Sequence, residues 1–176
     1  MNDFGAKEKR IAALLSNNPR LKNNIKKIYQ RFNFLLNKKE YIYTTPKNIS
    51  IVDDSEESTF FGYYDKCPES KDGTKLIYFR TNLDTASKPK AKHAVEIILK
   101  CLLTQELTVI DETFSYNWQQ GAKMMWLSND EFIYNTYSIE LNKYLSKIYN
   151  IKTKTFQVFD LPIYDCFKAS YALTLN

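Results

Sequence analysis

The chain has 176 residues, 44% hydrophobic and 15% aromatic, which suits one ordinary folded domain and rules out a disordered tail. Four Gly and five Pro exclude collagen-like and Pro/Gly-rich low-complexity classes, and a mean hydropathy of -0.46 with no long uncharged apolar run offers no membrane-spanning helix. The net charge of +5 is unevenly placed: residues 1–40 carry ten Lys/Arg against three Asp/Glu, whereas residues 41–176 carry fifteen against seventeen.

The basic segment, residues 1–40, reads as two helices separated at Asn17-Asn18-Pro19. Ile11, Leu14 and Leu15 form a short apolar face in the first. Asn18 is suited to cap the second and Pro19 to occupy its first turn. Leu21, Ile25, Ile28, Phe32 and Leu35 then recur at helical spacing, opposite Lys22, Lys26, Lys27, Arg31 and Lys38. Three roles are open to this basic amphipathic helix. It can lay its stripe on the body or on a protein partner, or it can rest on an anionic membrane surface, where apolar burial and Lys/Arg attraction act together. Nucleic acid is the least favoured, because the body is net acidic and holds no reading motif.

After Lys39 the period changes to short runs rich in Ile, Val, Tyr, Phe and Thr, which suit half-buried strands. Strands are expected near 61–68, 75–81, 94–102, 106–111, 121–127, 131–137, 144–151, 155–160, 162–167 and 171–175, with turns at Lys71-Asp72-Gly73, Ser128-Asn129-Asp130 and Lys168-Ala169-Ser170. The segments also resemble one another. A turn centred on Ser70-Lys71-Asp72-Gly73 leads into Lys75-Leu76-Ile77-Tyr78-Phe79, Ser128-Asn129-Asp130 leads into Glu131-Phe132-Ile133-Tyr134, and Lys168-Ala169-Ser170 leads into Tyr171-Ala172-Leu173. Spacings of 58 residues from Ser70 to Ser128 and 40 from Ser128 to Lys168 fit four-stranded blades with loops of variable length.

The Ser-Lys-Asp-Gly turn resembles the S-P-D-G turn of TolB-type and WD-repeat-like β-propellers, with Lys71 standing where that pattern has Pro. The stretches Phe60-Phe61-Gly62-Tyr63-Tyr64-Asp65-Lys66 and Asn117-Trp118-Gln119-Gln120-Gly121 are similar to those of an uncharacterised bacterial propeller group often encoded beside surface-polysaccharide biosynthesis genes. This resemblance implies a mainly β protein, a partial β-propeller of about two blades and the start of a third in residues 41–176, preceded by the helical segment in residues 1–40. The missing blades would come from a longer or downstream chain, which makes a nonfunctional fragment a further alternative. In a propeller, both stretches would enter inner strands and line one face of adjacent blades. Tyr63, Tyr64, Asp65, Asn117, Trp118, Gln119 and Gln120 are therefore the candidate ligand-binding residues, since aromatic faces suit sugar rings and Asp, Asn and Gln match hydroxyl groups. A simpler account has the aromatic side chains filling space between blades, with Asp65 and Gln119 holding loop backbone.

Enzymatic groups are sparse. His93 is the one histidine and no second stands beside it to share a metal, so neither a metal nor a cofactor is expected, and the histidine-rich metal site of oligogalacturonate-lyase propellers does not carry over. Cys67, Cys101 and Cys166 show no C-x-x-C spacing and read as small buried hydrophobes. Among carboxylates, Asp53-Asp54-Glu56-Glu57 reads as a solvated linker, Asp111-Glu112 as a further pair, and Asp65, beside Lys66 and aromatic rings, as the best catalytic candidate. No G-x-S-x-G, Walker or dinucleotide pattern is present. The sequence reading is thus a glycan-linked binding or scaffold protein, with a glycan-active hydrolase or lyase as the alternative. Without a recognisable secretory signal, a cytoplasmic location is expected, at the inner membrane face if the helix is used there.

Overall fold

The computed structural model describes residues 18–38, 44, 49, 52 and 57–174. The chain divides into two units, Met1–Ser50 and Ile51–Asn176. In the first, α1 (Pro19–Leu36) begins as its sequence signals dictate. Asn18 caps it, the side-chain oxygen accepting from the Leu21 N–H at 3.4 Å, and Pro19 occupies the first turn, where no intrahelical donor is needed. At the other end Asn37 closes the helix by donating its side-chain amide to the Asn33 carbonyl at 2.9 Å. The expected helix around Ile11, Leu14 and Leu15 lies outside the described residues.

The second unit is mainly β and built of antiparallel sheets. The first sheet has four strands in chain order: β1 (Ser58–Phe60), β2 (Lys75–Thr81), β3 (Val95–Cys101) and β4 (Leu107–Thr113). The second repeats that order with β5 (Met125–Trp126), β6 (Glu131–Ser138), β7 (Lys143–Asn150) and β8 (Thr155–Phe159), and β9 (Asp165–Phe167) with β10 (Tyr171–Leu173) forms a two-stranded third. The second meander joins neighbours by short turns, the first by longer loops over residues 61–74 and 82–94 and a short turn before β4, and every pairing is between consecutive strands and antiparallel.

Side-chain alternation stacks the sheets. Ile77 and Phe79 of β2, Val95 and Ile97 of β3, and Phe132 and Tyr134 of β6 are buried in one core with Met124 and Tyr149, which joins the first two sheets. Ile133, the residue between Phe132 and Tyr134, turns the other way and meets Met125 and Ile163 in a second, smaller cluster bordered by Cys166. β6 is therefore covered on both faces, which accounts for the unbroken burial of residues 132–136.

Two expectations need correction. Residues 61–68 do not form a strand: β1 lies just before them, and the stretch itself is a loop with a turn closed by the Lys66 N–H on the Tyr63 carbonyl at 3.2 Å. Its strand-like composition serves another end, since Phe61 packs against the main core and Trp126 Nε1 donates to the Pro68 carbonyl at 2.8 Å. The cysteines are not buried: Cys67 is exposed, and Cys101 and Cys166 are half-buried free thiols.

Candidate functional site

The two aromatic and amide-rich stretches come together. Asn117 and Gly121 close a tight loop, the Gly121 N–H donating to the Asn117 carbonyl at 2.9 Å, while Asn117 Oδ1 accepts from the Gln119 and Gln120 N–H groups at 3.1 and 2.8 Å. Gly121 sits at φ +56°, and a Cβ there would lie 2.3 Å from the Phe61 carbonyl oxygen and 2.5 Å from Phe79 Cε2. Only glycine allows the loop to press so closely on Phe61. On the same seam, a Cβ on Gly62 would meet the Gln120 carbonyl oxygen at 3.0 Å.

This contact sorts the candidate residues. Trp118 is half-buried against the main core, edge-on to Phe60 at 5.3 Å and 5.2 Å from Tyr116, and its Nε1 donates to the Ser87 carbonyl at 2.6 Å. Its ring and its one donor are thus both engaged by protein. Tyr63 is half-buried with its ring centroid 4.2 Å from that of Tyr64, whereas Tyr64 is 85% exposed. Asp65, Asn117, Gln119 and Gln120 are exposed. Gln120 borders two depressions. One is a narrow crevice with Phe61, Tyr63, Asp65, Lys66 and Lys123, and the other a polar hollow of 290 Å³ with Ser115, Asn117, Lys123 and Tyr144.

Lys66 is the electrostatic centre of the crevice. Its Nζ lies 2.6 Å from Asp165 Oδ1 in β9 and 3.6 Å from Asp65 Oδ2. Burial works against the ammonium, but the hydrogen bond and charge of Asp165, helped by Asp65, outweigh it and raise its pKa above the usual lysine value. Hydrogen bonding from Lys66 holds the Asp165 carboxyl below the usual carboxylate range. An ionised Asp165 is a hydrogen-bond acceptor and carries no proton to deliver. Beside it, Lys123 Nζ lies 4.5 Å over the Tyr164 ring.

A polar cluster that sequence reading missed joins the first two sheets. Asp111 accepts from Tyr134 Oη and, at 2.7 Å, from Lys147 Nζ, so one carboxylate of β4 holds residues of β6 and β7. Asp111 follows an irregularity at which Ile97 pairs with Asp111 and Ile98 with Val109, leaving Ile110 as the extra residue of a bulge. Burial, then the Asp111 contact, pushes the Tyr134 hydroxyl far above its usual range. The sequence signal available was the Asp111-Glu112 pair, but its partners stand in other strands.

The remaining candidates are accounted for locally. Glu57 pairs with Arg80 at 2.9 Å, and Asp53, Asp54 and Glu56 lie outside the described residues. His93 is exposed, and among the described residues no group of three or more His, Cys, Asp or Glu side chains could hold a metal ion. Comparison with known proteins found no matching family model, no matching curated protein and no matching solved structure.

Proposed function

We propose that residues 57–174 are two blades and the opening hairpin of a third in a β-propeller, and that the chain serves as a binding or scaffold protein in cell-surface glycan production. The four-stranded meanders in chain order, stacked through β6 onto a following hairpin, support the propeller reading. So does the 480 Å³ apolar groove between the open face of the second sheet and the β9–β10 hairpin, lined by Leu127, Ile148, Leu161, Tyr171 and Leu173, which is where further blades would pack.

The observation that carries the binding reading is Gln120, which borders both depressions on the rim formed by the Phe61–Tyr63 and Asn117–Gly121 contact. The exposed ring of Tyr64 supplies a flat apolar face. Asp65, Gln119 and Gln120 supply acceptors and donors for sugar hydroxyls, with Asn117 and Tyr144 at the margin of the hollow. Binding is favoured over turnover because Lys66 holds the Asp165 carboxyl ionised, an acceptor with no proton to donate. Retention on immobilised bacterial surface polysaccharides tests this reading: Tyr64→Ala and Gln120→Ala each lower retention without shifting the melting temperature. Equal retention of both variants and the wild type would overturn it.

A further inference from the structure

We propose that α1 is a docking element for an anionic lipid surface, lying in the plane of the interface. On a helix of 3.6 residues per turn, Leu21, Ile25, Ile28, Tyr29, Phe32, Leu35 and Leu36 share one arc of about 120° with no polar residue inside it. All seven side chains are exposed, and no residue of α1 is buried. Phe34 alone among the apolar residues lies on the opposite side.

The occupant of that face follows from charge. Residues 18–38 contain Arg20, Lys22, Lys26, Lys27, Arg31 and Lys38 and no Asp or Glu. Lys22 borders the arc beside Tyr29, and Arg20 and Arg31 border the other side near Leu35, so cations flank the apolar stripe along both margins. A lipid surface with anionic headgroups meets both features at once: acyl chains receive the stripe, and the flanking Lys and Arg side chains extend to the phosphates. A protein partner would need an apolar groove with acid along both rims. At 18 residues the helix is about 27 Å long, and no described helix is long and apolar enough to cross a membrane, which leaves the in-plane orientation.

Flotation of the full 176-residue chain with vesicles tests the proposal. With about one-third phosphatidylglycerol in phosphatidylcholine at low salt, the wild type floats, and it does not float with phosphatidylcholine alone. Binding declines as the Debye length shrinks from about 10 Å at 0.1 M to about 3 Å at 1 M salt. One triple and one double variant divide the contributions: Lys22→Glu/Lys26→Glu/Arg31→Glu and Ile28→Ser/Phe32→Ser each lower the bound-to-free ratio about tenfold or more. Because these positions are exposed, the melting of the β unit stays unchanged in both variants and reports that it remains folded. Absence of flotation, undiminished flotation of either variant, or self-association in place of vesicle binding would overturn the proposal.

Discussion

Lys66 and Asp165, 99 positions apart in sequence, are joined by a 2.6 Å charged hydrogen bond that ties the loop after β1 to the third sheet. Lys66 is the more sheltered of the two, its side chain 17% exposed against 44% for Asp165, and Asp65 adds a second carboxylate at 3.6 Å. Solvent at the Asp165 side limits the value of the pair, so a coupling of about 1 kcal/mol is expected from a double-mutant cycle on Lys66→Met and Asp165→Asn. The raised Lys66 pKa gives the matching pH signature. Its contribution is complete below the ordinary lysine value and fades as pH rises through the folded-state value, a loss absent in Asp165→Asn. Additive single mutants with identical alkaline limbs would contradict this.

The turn before β2 carries the opposite sign. Hydrogen bonds from Ser70 and then Thr74 lower the Asp72 carboxyl to about 2 from an ordinary value of 3.8. Its contribution is present above the unfolded-state value and is lost as pH falls from there through about 2. Asp72→Asn is therefore expected to flatten the acid limb of the stability profile between about pH 4 and 2, read by denaturant melts at each pH. An unaltered acid limb would contradict the assignment.

Two glycines at positive φ differ sharply in surroundings. At Gly73, φ +69°, a Cβ meets only Glu69 Oε1 at 3.2 Å, the end of a flexible side chain, whereas at Gly121 it meets backbone oxygen and a core ring well inside contact distance. Gly73→Ala is expected to cost about 1 kcal/mol from backbone conformation alone. Gly121→Ala adds displacement of Phe61 or Phe79 and is expected to cost more than about 3 kcal/mol. Thermal and denaturant melts compare the two, and equal losses would show that the Asn117–Gly121 loop yields without disturbing the core.

Local signals wrote much of this fold into the sequence. The cap at Asn18 and Pro19 places α1, and β2, β3, β6 and β7 fall within a residue or two of their apolar runs because each is covered by neighbouring layers. The hairpin turn at Lys168-Ala169 was also legible, although both residues take left-handed conformations, φ +51° and +53°, that usually favour Asn-Gly. Non-local effects were not legible. Residues 61–68 read as a strand, yet the strand ends at Phe60, which stacks on Phe79, and the approach of Gly121 to Phe61 accompanies a loop in the residues that follow. The bulge at Ile110 breaks the alternation, so the run reads as ending at 111 although β4 continues to Thr113, and it hides the role of Asp111. At the candidate site, the two stretches meet where Gly121 presses on Phe61. The engagement of Trp118 by Ser87 and of Lys66 by Asp165 was not legible, because each partner lies far along the chain.

The binding account is tested most directly by NMR titration of the chain with soluble oligosaccharides released from bacterial surface polysaccharide. The account predicts shifts concentrated in residues 61–66 and 117–123, with the Gln119 and Gln120 side-chain amides and the Tyr64 ring among them. The Trp118 indole N–H, held by Ser87, moves little. Shifts confined to the apolar groove at Leu127, Ile148 and Leu173, or no shifts across the two stretches while the oligosaccharide binds, would contradict it.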